Sequence, residues 1–136
     1  MARAARPTGS AGDEAGAAVV EFVGVLFLLL TLFLVVLQVG LTLHVRNVLI
    51  ASAAEGARYA ANADRTDAEG AERAREAAAS ALSGQLAARL RVAAEPDPTG
   101  PGVVQVTITA PVPLVVPLVS PFSLTVHGHA LEEASP

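Results

Sequence analysis

The sequence predicts an α+β chain: a long apolar N-terminal helix that continues into a domain with a second helix and a small antiparallel sheet. Three observations predict it. Phe22 to Leu43 is a run of 22 residues without a charge. Thr66 and Glu69 stand at the spacing of a capping box, ahead of a modest stripe of apolar residues. Val104, Val106 and Ile108 alternate with Gln105, Thr107 and Thr109, the period of a half-buried strand.

The apolar run is interrupted only by Thr31, Gln38 and Thr42 among polar side chains, and His44 and Arg46 close it. A helix of that length covers about 33 Å, enough for the hydrocarbon core of a bilayer. The remaining chain is too short to cover a helix that is apolar on every face, so a transmembrane helix is expected over 17–44. A cleaved secretory signal fits less well. Such signals have shorter apolar regions, whereas here Asp13 and Glu14 precede a long one, and the small-residue triplet Ala51-Ser52-Ala53 lies well beyond it.

Composition narrows the chemistry. The 136 residues carry nine basic side chains, all Arg, against 13 acidic ones, for a net charge of −4. That balance argues against nucleic acid as a partner. With no Cys there is no disulfide, thiolate metal site, catalytic thiol or lipid-anchor cysteine. With no Lys there is no phosphate-loop lysine, Schiff base or lysine isopeptide crosslink. The excess of Ala and the exclusive use of Arg fit a high-GC coding bias, so Ala counts carry little structural weight.

Residues 1–16 read as a leader. They are rich in Ala, Gly and Arg, lack periodicity and are expected to be disordered. Arg3 and Arg6 favour a cytoplasmic N-terminus. At the junction, Gly16 is followed by Ala17-Ala18-Val19-Val20-Glu21-Phe22 and then by the apolar run. A carboxylate at the mouth of a membrane helix is costly if drawn inward. Glu21 either marks a hydrated interface or has a partner.

These junction residues resemble the processing site of type IV prepilins. The resemblance implies cleavage between Gly16 and Ala17 by a membrane-embedded prepilin peptidase, with Glu21 as the fifth residue of the mature chain and Phe22 beside it. The stretch from Leu43 through Ala53-Ala54-Glu55-Gly56-Ala57-Arg58-Tyr59-Ala60 is in turn similar to the TadE-like proteins of tight-adherence (Flp-type) pilus systems. The similarity covers Gly16 to about Ala63 and extends in plan only to Glu133. It implies a pilin-like arrangement with an extracytoplasmic domain over 45–136. Many relatives carry a Pro inside the helix, where Phe27 stands here, and an acidic residue near its end, where Gln38 stands here. These departures point to an actinobacterial-type relative.

The residues past the span support a helix that runs on into water. Glu55 shares a face with Arg58 and Tyr59. Ala53, Gly56, Ala57 and Ala60 form a small-residue face, suited to close helix packing in a filament core or simply the product of coding bias. Asn62 to Thr66 breaks the helix. The second helix then shows Ala71, Ala74, Ala78, Ala81, Leu82 and Leu86 as its apolar stripe and Glu69–Arg73 as a solvent-side pair, and ends at Ser83-Gly84 or runs on to Leu90. Strands are expected at 89–94, at 104–109 and at 122–131, the last with Phe122, Leu124 and Val126 on one face. The apolar segment Ala110–Pro121 holds four prolines, which forbid a helix or central strand. It either covers the core or forms an exposed patch for a partner or a membrane surface.

No catalytic constellation is present, so an enzyme, a cofactor and a small-molecule substrate are not expected. His127 and His129 share a strand face and could hold a metal with Glu132, but strand histidines at that spacing are commonly surface residues. The expected function is that of a minor pilin, pseudopilin or membrane-anchored assembly component of a Tad/Flp-type pilus or secretion apparatus. Its partners would be the membrane, other Tad/Flp pilins and TadE-like subunits, and the prepilin peptidase. The alternative is a single-pass envelope protein with an extracytoplasmic binding domain unrelated to pili.

Overall fold

The computed structural model describes residues 11–98, 100–115 and 120–133. Its elements are α1 (Ala11–Ala60), α2 (Asp67–Ala81), α3 (Gly84–Ala87), β1 (Arg91–Pro96), β2 (Val103–Pro111) and β3 (Ser123–Leu131). The chain divides into two compact units, Met1–Val36 and Leu37–Pro136, with α1 contributing to both.

In the first unit α1 already includes Ala11–Gly16, so the end of the expected disordered leader is helical. Alanines at 11 and 15 are strong helix formers, and an acidic residue at 14 suits the positive end of the helix dipole. Residues 1–10, with Arg3 and Arg6, lie outside the described residues. From Val19 to Val36 the large apolar side chains are exposed or nearly so. Phe22 is 67% exposed and Phe33 61%.

The second unit packs the last part of α1 and α2 against one face of a three-stranded antiparallel sheet of order β1-β2-β3. The buried residues of α1 recur every fourth position at Val45, Leu49, Ala53 and Ala57, a stripe along one helical face. Opposite them lie Ala74 and Ala78 of α2, Val106, Ile108 and Ala110 of β2, and Val126 of β3. The register sets Ile108 against Val92 on one side and Val126 on the other, which keeps apolar residues of all three strands on the inner face.

The stripe tapers from Val and Leu to Ala and Gly, and the taper decides how closely the neighbours approach. A Cβ on Gly56 would stand 2.5 Å from both Ala74 Cβ and Gly70 O, so α1 and α2 touch through their backbones. A Cβ on Gly128 would run into the backbone of Ala53 and Ala54, so β3 lies directly on α1.

The capping box forms as the spacing predicts. Thr66 Oγ1 accepts from Glu69 N–H and Glu69 Oε2 accepts from Thr66 N–H at 2.9 Å. Helix α2 ends at Ala81, and the short α3 follows Ser83. Two details differ from expectation. Gly70, Ala74 and Ala78 are the buried face of α2, while Ala81 is exposed. Arg73 pairs with Glu55 at 2.6 Å rather than with Glu69, because the capping box draws the Glu69 carboxylate toward the helix start, where Arg65 lies 3.5 Å away.

The outer face of the sheet is polar. Thr109 bonds Thr125, Thr107 bonds His127, and Gln105 lies 2.9 Å from His129 Nε2. Phe122 departs from the strand face expected for it, shared with Leu124 and Val126. It precedes β3, is 41% exposed, and its carbonyl accepts from Val112 N–H. The backbone bond fixes the mouth of the β2–β3 turn and leaves the ring outside the core.

Candidate functional site

The residues singled out by sequence fall into two groups, one in each unit. In the first unit Gly16, Ala17, Glu21 and Phe22 follow one another on α1, all exposed. Four residues separate Ala17 from Glu21, one turn and about 6 Å along the axis. A Cβ built on Gly16 meets nothing, so no contact within the chain requires glycine there. In a helix glycine costs about 1 kcal/mol relative to Ala. The same openness holds at Gly12, Gly24 and Gly40.

The following turns of α1 are chemically uniform. Their side chains are Val, Leu, Phe and Gly with the single hydroxyl of Thr31, which donates back to Phe27 O at 2.8 Å and so presents no free donor. The helix Glu14–Ala60 is long and apolar enough to cross a membrane, and none of its most apolar 18-residue window is buried within the chain. Burying one Leu, Val or Phe side chain is worth roughly 1.5–3 kcal/mol. A surface made of many of them calls for lipid or other helices.

In the second unit Glu55, Gly56, Arg58 and Tyr59 lie on the last turns of α1. Their partners come from α2 and the α1–α2 turn. Glu55 takes Arg73, Gly56 takes Ala74 and Gly70, and the Arg65 guanidinium sits 4.9 Å above the Tyr59 ring. Arg58 is exposed. The small-residue face is thus occupied by the chain's own α2 and β3, not left free for another subunit's helix. An open cleft between α1 and α2 is lined by Glu55, Tyr59, Glu69, Glu72, Arg73 and Glu76, among others. Of these, Glu69 titrates below the usual carboxylate range, chiefly because it accepts the Thr66 backbone N–H, and further because of the Thr66 hydroxyl and Arg65.

The sequence-suggested histidine pair serves the sheet. His127 meets Thr107 across strands, and His129 Nε2 lies 3.3 Å from Asp97 Oδ2. Among the described residues no group of three or more potential ligands is placed to hold a metal.

One site residue escaped the sequence reading. Gln38, the amide near the end of the apolar run, is buried and bridges to the β2–β3 turn. Its Nε2 donates to Pro113 O at 3.1 Å and its Oε1 accepts from Val115 N–H at 2.7 Å. A lone polar residue at a helical position with an apolar surround was the available signal. Its partners, backbone groups 75 and 77 residues away, have no sequence signature.

A long apolar N-terminal helix, a second helix and a three-stranded antiparallel sheet packed against the helix make a pilin-like α+β protein. Residues 16–58 match the family model described as TadE-like protein, and the chain carries a TadE-like domain at those positions. No curated protein and no solved structure matches the chain.

Proposed function

We propose that the chain is a minor pilin, pseudopilin or membrane-anchored assembly component of a Tad/Flp-type apparatus. A TadE-like domain implies a Tad pilus-associated protein, and the observation that supports the finer reading is the bare surface of α1. The TadE-like match begins at Gly16 and covers the apolar helix, none of whose most apolar window is buried in its own chain. In the membrane that surface meets lipid. In an assembled state the same surface meets equivalent helices of other Tad/Flp pilins or TadE-like subunits.

On this reading a prepilin peptidase cuts between Gly16 and Ala17, the N-terminus faces the cytoplasm, and the second unit lies outside it. The cut frees an amine one turn before Glu21. An amine and a carboxylate 4 Å apart attract by about 4 kcal/mol at an effective dielectric of 20, against about 1 kcal/mol in water. Pairing between the amine of one subunit and Glu21 of the next is therefore rewarded where water is excluded. It offsets the cost of holding a carboxylate beside the hydrocarbon.

Intact-mass measurement after co-expression with a cognate prepilin peptidase tests the reading. The expected product begins at Ala17. A chain that keeps its original N-terminus, or one cut beyond Ala51, contradicts it. Fractionation of sheared filaments against membranes then separates a polymerised subunit from an assembly factor that stays in the membrane.

A further inference from the structure

The turn between β2 and β3 has a chemistry that closing a hairpin does not require. Ordinary hairpin turns use Gly, Asn, Asp or Ser. Here Val112 to Phe122 holds no charged residue, and prolines at 113, 117 and 121 remove three backbone N–H donors. Such a segment has no charge to solvate and fewer donors to satisfy, which suits a place poor in water.

The start of the turn is also fixed at a defined height. Gln38 is 7% exposed and bonds Pro113 O and Val115 N–H. Thr42 Oγ1 donates to Gln38 O at 2.8 Å, so the polar groups of this stretch satisfy one another. Among the described residues no buried side-chain N or O lacks a partner. Gln38 lies five residues before Leu43, the end of the apolar run, which is about 7.5 Å along the helix. Around it Leu37, Val39 and Leu43 are exposed. A bilayer that covers the run as far as Leu43 therefore reaches the level of Gln38 and of the turn clamped to it.

The exposed side chains of the turn match that level. Outside α1, the exposed large hydrophobic residues among the described ones are Leu114, Val115, Phe122 and Leu131. The first three belong to the turn or its mouth. Val112 next to them is buried against the domain, so the start of the turn covers the core with Val112 and leaves Leu114 and Val115 exposed.

We propose that the two ends of the β2–β3 turn form a second membrane contact, with Leu114, Val115 and Phe122 resting in the boundary region of the leaflet nearest Leu43 and Gln38 holding the first end there. The proposal rests on the reading that α1 spans a bilayer. It makes the second unit a domain seated on the lipid surface.

The chain has no Trp, so single tryptophans report depth without interference. Phe122→Trp, Phe33→Trp and Leu131→Trp versions of the full chain are reconstituted in phosphatidylcholine vesicles brominated either near the headgroup or near the acyl-chain end. Phe122→Trp is expected to lose most of its emission to the shallow label and little to the deep one. Phe33→Trp, at the middle of the run, should show the reverse order, and Leu131→Trp should keep its emission with both. If Phe33→Trp is quenched and Phe122→Trp is not, the turn is covered by water or protein and the proposal falls while the anchor stands. Stronger quenching of Phe122→Trp by the deep label overturns the boundary placement. Quenching of Leu131→Trp to the same extent means that the domain adsorbs without a preferred contact, which also overturns it. If Phe33→Trp is not quenched, the anchor reading and the proposal fall together.

Discussion

Two single side chains carry opposite tests of how the helix works. Glu21 is exposed on α1 within the chain and has no structural duty there, so Glu21→Val should insert and be processed as the parent is. If the carboxylate pairs with the freed amine of a neighbour, the variant fails to enter the assembly. Crosslinking of processed membrane pools reads this out, and normal incorporation would leave Glu21 as a hydrated boundary residue. Gly56 is the contrary case, because its role is inside the chain. A side chain there collides with Ala74 and the Gly70 carbonyl, and overpacking of this kind costs about 1–3 kcal/mol. Gly56→Val should lower the melting temperature of the detergent-solubilised chain without affecting the cleavage proposed after Gly16. Equal melting temperatures would show that the α1–α2 crossing relaxes freely.

At the scale of elements, the start of α2 and the β2–β3 turn depend on hydrogen bonds that can be removed one at a time. Loss of the Thr66 cap in Thr66→Ala should destabilise by about 1 kcal/mol. The Glu69 half of the box is pH-dependent. Its folded titration lies below the ordinary glutamate range, so its contribution is full above about pH 4.3 and is lost as pH falls through the lower folded value. Amide exchange in the first turn of α2 should speed up over that acid window, and Glu69→Gln should flatten the response. In the turn, Gln38→Leu leaves the part-buried Val115 N–H without its partner, and loss of such a hydrogen bond costs about 1 kcal/mol. Faster exchange at the Val115 amide is the expected signature. Elements with a local signal were readable in the sequence. The capping box, the alternation of 104–109 and the apolar run each follow from neighbouring residues. What depended on distant partners was not. The Glu55–Arg73 pair, the fit of Gly128 on Ala53 and the Gln38 clamp join residues at least 18 apart. The outward Phe122 followed from a turn whose mouth is set by Val112. The junction residues at 16–22 stand out by their pattern alone, and within the chain they are exposed.

For the whole molecule, the boundary set by charge and the boundary set by packing do not coincide. The apolar run ends at Leu43, but the compact second unit begins at Leu37. On the reading that α1 crosses a membrane, the stretch 37–45 must satisfy lipid on one side and its own domain on the other. It gives the domain Val45, fully packed in the core, Leu41 beside it, and the Gln38 clamp. A fragment that starts at Arg46, where the first charge appears, lacks all three. One buried Val is worth roughly 1.5–3 kcal/mol, and the lost Gln38–Val115 hydrogen bond adds about 0.5–1.5 kcal/mol. A domain of this size holds only about 5–15 kcal/mol in total. The fragment 46–136 should accordingly be less stable than 37–136 by about 3 kcal/mol or more. Both can be compared by urea denaturation in a mild detergent, which shields the exposed face of 37–45. Coincident transitions would mean that the second unit does not use the end of the apolar helix, and that it can be separated from the membrane segment at the point where the charges begin.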